Sequence, residues 1–169
     1  MEYLIFLRLI HIVCTVIWAG GMIYLAVFVI PASKSLGPEG AKFIQQLFNT
    51  NKLPVIMNVA AIFSIVTGIL LMQKLLGGIQ TVFNSTHGTI IVIGALLALL
   101  GFIIGLSVNL PAARRMSSLG KIVMESGSQP NSGQLEELQR LRSRSFAATN
   151  VIAILLFASL ILMSVVKYF

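Results

Sequence analysis

The chain has 169 residues, of which 57% are hydrophobic and only 10% charged, and its mean hydropathy is +0.94. Soluble domains carry charge on about a quarter of their residues, so this composition excludes a water-soluble enzyme or binding module and points to an integral membrane protein. The formal charge of +7 does not indicate nucleic acid, because the cations are scattered over short connectors and form no basic folded module.

Four apolar stretches, at about residues 3–30, 54–76, 87–110 and 146–166, are each long enough to cross a hydrocarbon core, which takes roughly 20 helical residues. The expected fold is therefore an all-α, integral membrane four-helix bundle, one transmembrane domain over residues 1–169. The first stretch lacks a basic leader and a small-residue cleavage site, and is read as a retained span, not a signal peptide. Within it Arg8, His11, Thr15, Trp18 and Met22 recur at offsets of three and four and form one helical stripe. A polar stripe in an apolar helix is expected to face the bundle interior. Gly20 and Gly21 remove bulk beside it, so another helix or a flat ligand can approach. Cys14, the single cysteine, has no disulfide partner within the chain and reads as a small packing residue.

The connectors at 31–53 and 111–145 hold nine of the twelve Lys and Arg residues. Two spans separate them, so they share one side, and the positive-inside rule makes that side cytoplasmic. Both termini and the link at 77–86 are then expected on the outer side of a multi-pass membrane protein.

The second span ends at Lys74 and the third opens at His87, preceded by Asn84-Ser85-Thr86, which reads as a helix cap. Gly94, Gly101 and Gly105 give the third span a small-residue face suited to close packing, which makes a homo-oligomer an expectation. Asn58, Asn109 and Asn150 stand at the opposite end from the histidines and suggest an interhelical hydrogen-bond layer. In the second connector, 125–133 reads as a flexible break and 134–145 as a helix, with Leu135, Leu138 and Leu141 in register and Glu136 four residues before Arg140.

Arg8, His11, Lys74 and His87 all fall in the outer half of the bundle, and ionisable groups at such depths call for a function. A b-type haem suits them. Neutral imidazole ligates iron, apolar helices pack the macrocycle, and cations answer its propionates. His11 and His87 are the expected metal ligands, with Arg8 and Lys74 as propionate partners and Trp18 lining the pocket. His87 stands several Å nearer the surface than His11 by the helical rise, so it is a second axial ligand, a propionate partner, or a ligand of another cofactor. The bland alternatives are a His11 that only bonds a neighbouring helix, and cations that merely snorkel to the headgroups.

The His11-x6-Trp18-x-Gly20-Gly21 pattern resembles the opening helix of small bacterial four-helix membrane proteins. That group includes the transmembrane region of copper-resistance protein D and the HemJ-type protoporphyrinogen oxidases. The resemblance covers about the first 32 residues and is architectural beyond them. It implies an inner-membrane protein and, from the HemJ side, a haem b with His11 as a key residue. If the chain is an enzyme, it implies a haem-dependent oxidoreductase.

The leading expectation is haem-linked electron transfer near the periplasmic face, with a redox partner or quinone. The alternatives are a copper-handling membrane protein or carrier, and a cofactor-free structural subunit. There is no Asp, and the five Glu residues lie outside the spans, which ranks proton-coupled carriers below a redox protein.

Overall fold

The computed structural model describes residues 2–77, 83, 85–126 and 130–168, and among these it contains helices and no strand. Helix α1 runs without interruption over Glu2–Ser35, α2 over Pro38–Asn49 and α3 over Leu53–Leu76. Helix α4 comprises Thr86–Ile104, a π-helical turn at Gly105–Asn109 and Leu110–Ser126. Helix α5 covers Ser132–Val165. Helices α1, α3, α4 and α5 are long and apolar enough to cross a membrane, and their outward faces carry large apolar residues such as Phe6, Phe63, Leu100 and Phe157. The protein is a multi-pass membrane helix bundle.

Two helices run further than the sequence reading places them. The spans expected to stop at 30 and 110 continue through Pro31 and Pro111. Proline removes one amide donor and presses on the carbonyl four residues earlier. In both helices a π-helical turn, Leu25–Val29 in α1 and Gly105–Asn109 in α4, stands two residues before the proline and takes up that conflict. A further π turn at Val16–Gly20 holds Trp18.

Helix α2 replaces what reads as a plain connector. Gly37 has φ +56°, a backbone conformation suited to glycine, and it turns the chain back so that Pro38 opens α2. The helix is amphipathic: Ile44 is buried with Ile30 and Phe146, and Lys42 pairs with Glu39 at 2.9 Å on the exposed face. The other ends follow ordinary capping chemistry. Ser85 accepts from the Gly88 amide at 3.1 Å, which realises the expected cap of the third span. Asn131 and Gln134 form a reciprocal capping box at the start of α5.

The bundle is built from two tight pairs, α1 on α3 and α4 on α5, while α3 and α4 touch only sparsely. The pairs meet where the middle of α1 packs on α5, in a core of Trp18, Ala19, Met22 and Leu25 against Ala60, Ala61, Ile152 and Leu156. The glycine face of α4 is taken up within the chain. Gly94 stands against Met163 and the Ser159 carbonyl, and Gly101 and Gly105 against Ile152. The Ser159 hydroxyl donates to the Gly94 carbonyl at 2.8 Å. That face therefore gives no support to a homo-oligomer.

Helix α5 has 34 residues, or about 51 Å at the usual helical rise, against a hydrocarbon core of about 30 Å. The α4–α5 hairpin therefore projects past the apolar layer at the connector end. Arg115 bridges it to Glu137 with contacts of 2.7 and 3.3 Å. The expected helix over 134–145 is present and continuous with the fourth span; residues 127–129 of the expected flexible break lie outside the described residues.

Candidate functional site

The stripe on α1 faces inward over four of its five members. Trp18 and Met22 are buried and His11 and Thr15 partly so, whereas Arg8, at the terminal end of the stripe, is exposed. Opposite His11 and Thr15, α3 presents Ser64, Thr67 and Gly68. The His11 Nδ1 lies 2.8 Å from the Ser64 carbonyl oxygen, and the Thr15 and Ser64 hydroxyls are 2.6 Å apart. Thr67 donates to the Phe63 carbonyl on its own helix at 2.6 Å, and its oxygen is 3.4 Å from His11 Nδ1.

A carbonyl oxygen only accepts, so the imidazole donates from Nδ1, and in the neutral ring the lone pair then resides on Nε2. This is the tautomer that metal-ligating histidines adopt when the other nitrogen is held by a backbone carbonyl. Gly68 lets the ring lie close against α3. A Cβ there would fall 3.0 Å from His11 Cε1 and 3.3 Å from Nδ1, so even a methyl group would press the ring back by a few tenths of an ångström. Substituting Gly68→Val should expel the ring and lower stability by about 1–3 kcal/mol, measured by thermal or SDS-induced unfolding. The same variant should lose whatever ligand His11 holds.

The residues named from the sequence are only partly brought together. Trp18 and Phe102 meet edge-on with ring centroids 6.2 Å apart, which aligns α1 with α4. His11 is seven residues from Trp18 and His87 fifteen from Phe102. At about 1.5 Å per residue, His87 is roughly 12 Å nearer the terminal end. The two histidines also belong to different helix pairs, His11 to the α1–α3 seam and His87 to the first turn of α4, which pairs with α5. Metal–imidazole bonds are about 2 Å long, so in this arrangement His87 does not share a metal with His11. Arg8 and Lys74 are both exposed and stand beyond His11 on its terminal side, by about 4.5 Å and 9 Å of helical rise respectively. Trp18 lies on the other side of His11, within the core.

Comparison with family models, curated proteins and solved structures returned no match. The bundle contains a second feature that no sequence pattern reveals. At the connector end the four long helices enclose a cleft of about 70 Å³. Trp18, Met22 and Phe102 line its deep end, and Asn58, Asn109 and Thr149 its outer part. The three π turns among the described residues contribute to its wall, through Trp18, Leu25 and Gly105.

The expected asparagine layer is realised at one of its three residues. Asn109 Nδ2 donates to the Thr149 hydroxyl at 3.2 Å and its Oδ1 accepts from Ser145 at 3.1 Å, which joins α4 to α5. Asn58 instead donates to the Pro54 carbonyl of its own helix at 2.7 Å, and Asn150 is exposed. Replacing Asn109 by leucine should cost about 1–2 kcal/mol, since the interhelical bonds vanish while Ser145 and Thr149 turn to carbonyls of their own helix. Unfolding in an SDS titration measures it.

Proposed function

We propose that this chain is a b-type haem-binding protein of a bacterial inner membrane, with its termini on the periplasmic side and His11 as the protein ligand of the iron. One observation carries the reading: His11 Nδ1 is committed to the Ser64 carbonyl, which leaves Nε2 as a metal-ligating lone pair. The fit of the other residues is uneven. The Gly68 space cradles the ring, and Arg8 and Lys74 stand on the terminal side, where propionates would meet cations. His87 does not fit the same group, for the reason of depth given above, and Trp18 lies on the side of His11 away from the cations.

When bound, the group would supply one-electron or small-ligand chemistry. What the chain itself does is narrower. Ser64 fixes the tautomer and direction of the imidazole, Thr15 and Thr67 hold Ser64 in its polar cluster, and apolar residues of the spans exclude water. Of the two histidines only His11 stands at this level, so the chain would hold the iron through one imidazole.

Copper handling is the second reading. It is favoured by Met22 and Met57, which line the same cleft, with Gly21 allowing Met57 against α1. Thioethers select Cu(I).

The test is an oxidised and dithionite-reduced visible spectrum of detergent-purified protein expressed with added haem, together with its metal content. A Soret band and a reduced alpha band support the haem reading. A colourless, folded protein that retains copper moves the assignment to the cleft. A colourless, metal-free one reduces His11 to a tie between α1 and α3.

A further inference from the structure

The cleft at the connector end has the chemistry of a ligand site. Among the described residues its wall carries no charged side chain, and its polar residues, Asn58, Asn109, Ser145 and Thr149, gather toward one end while Trp18 and Phe102 lie toward the middle of the bundle. The hydrogen-bond inventory is unbalanced in one direction. A carboxamide nitrogen has two N–H donors. Asn109 spends one on Thr149 and Asn58 spends one on Pro54. The Ser145 hydroxyl is spent on Asn109 Oδ1. Each asparagine therefore keeps one amide N–H for another acceptor.

Residues of both α3 and α4 line the cleft, and these two helices touch only sparsely. Their seam would admit a molecule dissolved in the bilayer without a passage through water. Polar residues grouped near the end of the spans, with an apolar and aromatic floor deeper in, match the profile of an uncharged head followed by an apolar tail. The volume of about 70 Å³ admits a small head and leaves the tail in the seam.

We propose that this cleft binds a neutral, carbonyl-bearing lipid, with the free amide N–H groups of Asn58 and Asn109 donating to its carbonyl oxygen and its tail leaving between α3 and α4. A membrane quinone and an ester lipid such as diacylglycerol share this chemistry. The site is separate from His11, and it stands whether or not the chain holds haem.

The chain reports on the cleft by itself, because Trp18 is its only tryptophan and lines the wall. The experiment titrates a decyl-substituted benzoquinone into the purified protein in nanodiscs and follows Trp18 emission. A bound quinone gives saturable quenching, whereas quinone merely dissolved in the bilayer gives a linear rise. In Asn58→Leu the saturable phase should weaken roughly fivefold, the effect of one hydrogen bond. Gly105→Ala is a second variant. Its new Cβ would meet Ile152 Cδ1 at 3.8 Å, an ordinary contact, so the fold is kept while the cleft narrows. It should weaken the phase a few-fold. Competition by dioleoylglycerol identifies an ester lipid as an occupant, and its failure leaves the quinone as the source; either result retains the site. Linear quenching, or a saturable phase that neither variant moves, overturns it.

Discussion

Purified His11→Ala protein is expected to be colourless where the parent shows a Soret band, and to be about 1–2 kcal/mol less stable. The two effects have different origins. The pigment is lost because no other imidazole stands at that level; His87 is roughly 12 Å away along the bundle axis. The stability loss is modest because the Ser64 carbonyl lies inside α3, within reach of its own helical amide, while Thr15 still holds the Ser64 hydroxyl. Free imidazole separates ligation from structure. Added at millimolar concentration to the alanine variant, it should return the Soret band by occupying the vacated space beside Gly68, without returning the lost stability. His87→Ala should keep the pigment. If instead His87→Ala bleaches the protein and His11→Ala does not, the ligand has been assigned to the wrong helix pair.

Much of the first helix was legible because its signal is periodic. Arg8, His11, Thr15, Trp18 and Met22 fall at offsets of three and four, and a helix carries such residues on one side whatever its neighbours are. The neighbours were not legible. Nothing in the spacing says that Ser64 and Gly68 receive His11, since that depends on how α1 and α3 are staggered. The depth difference between His11 and His87 was visible as a count of residues. It became decisive only when the contact of Trp18 with Phe102 set the levels of α1 and α4.

Two other features were hidden for local reasons. Pro31 and Pro111 read as helix ends because proline usually ends a helix, and the compensating π turns have no residue signature of their own. Helix α2 is hidden because Lys34, Lys42 and Lys52 give residues 31–53 the charge of a plain connector. Yet Gly37-Pro38 is a start signal, and Ile44, Leu47 and Phe48 have the spacing of one apolar face. The cleft follows from these unread features together: three π turns and a sparse α3–α4 seam leave a space that no single segment encodes.

Gly40 is where the largest effect of a single methyl group is expected. A Cβ at Gly40 would fall inside van der Waals contact with the carbonyl oxygen of Ser33, and 2.7 to 2.8 Å from the Ser33 carbonyl carbon and Cα. These are backbone atoms of α1, so no rotamer change relieves the overlap, and α2 must move away as a body. The expected cost of Gly40→Ala is about 1–3 kcal/mol, despite the better helix propensity of alanine. Gly20→Ala is the matched comparison. Gly20 is also helical, with φ −61°, but nothing lies within 4 Å of the position its Cβ would take. There the substitution should be neutral or stabilising by up to about 1 kcal/mol. Thermal unfolding of the two variants should therefore shift in opposite directions or leave only Gly40→Ala lowered, and hydrogen exchange should rise over residues 38–49 in that variant alone. The consequence reaches the cleft, because Phe48 of α2 forms part of its wall and Ile44 packs with Ile30 and Phe146. Displacing α2 opens the connector end of the cleft, so Trp18 emission in Gly40→Ala should shift to longer wavelength as water gains access. Equal unfolding temperatures and unchanged exchange in the two alanine variants would mean that α2 does not rest on Ser33.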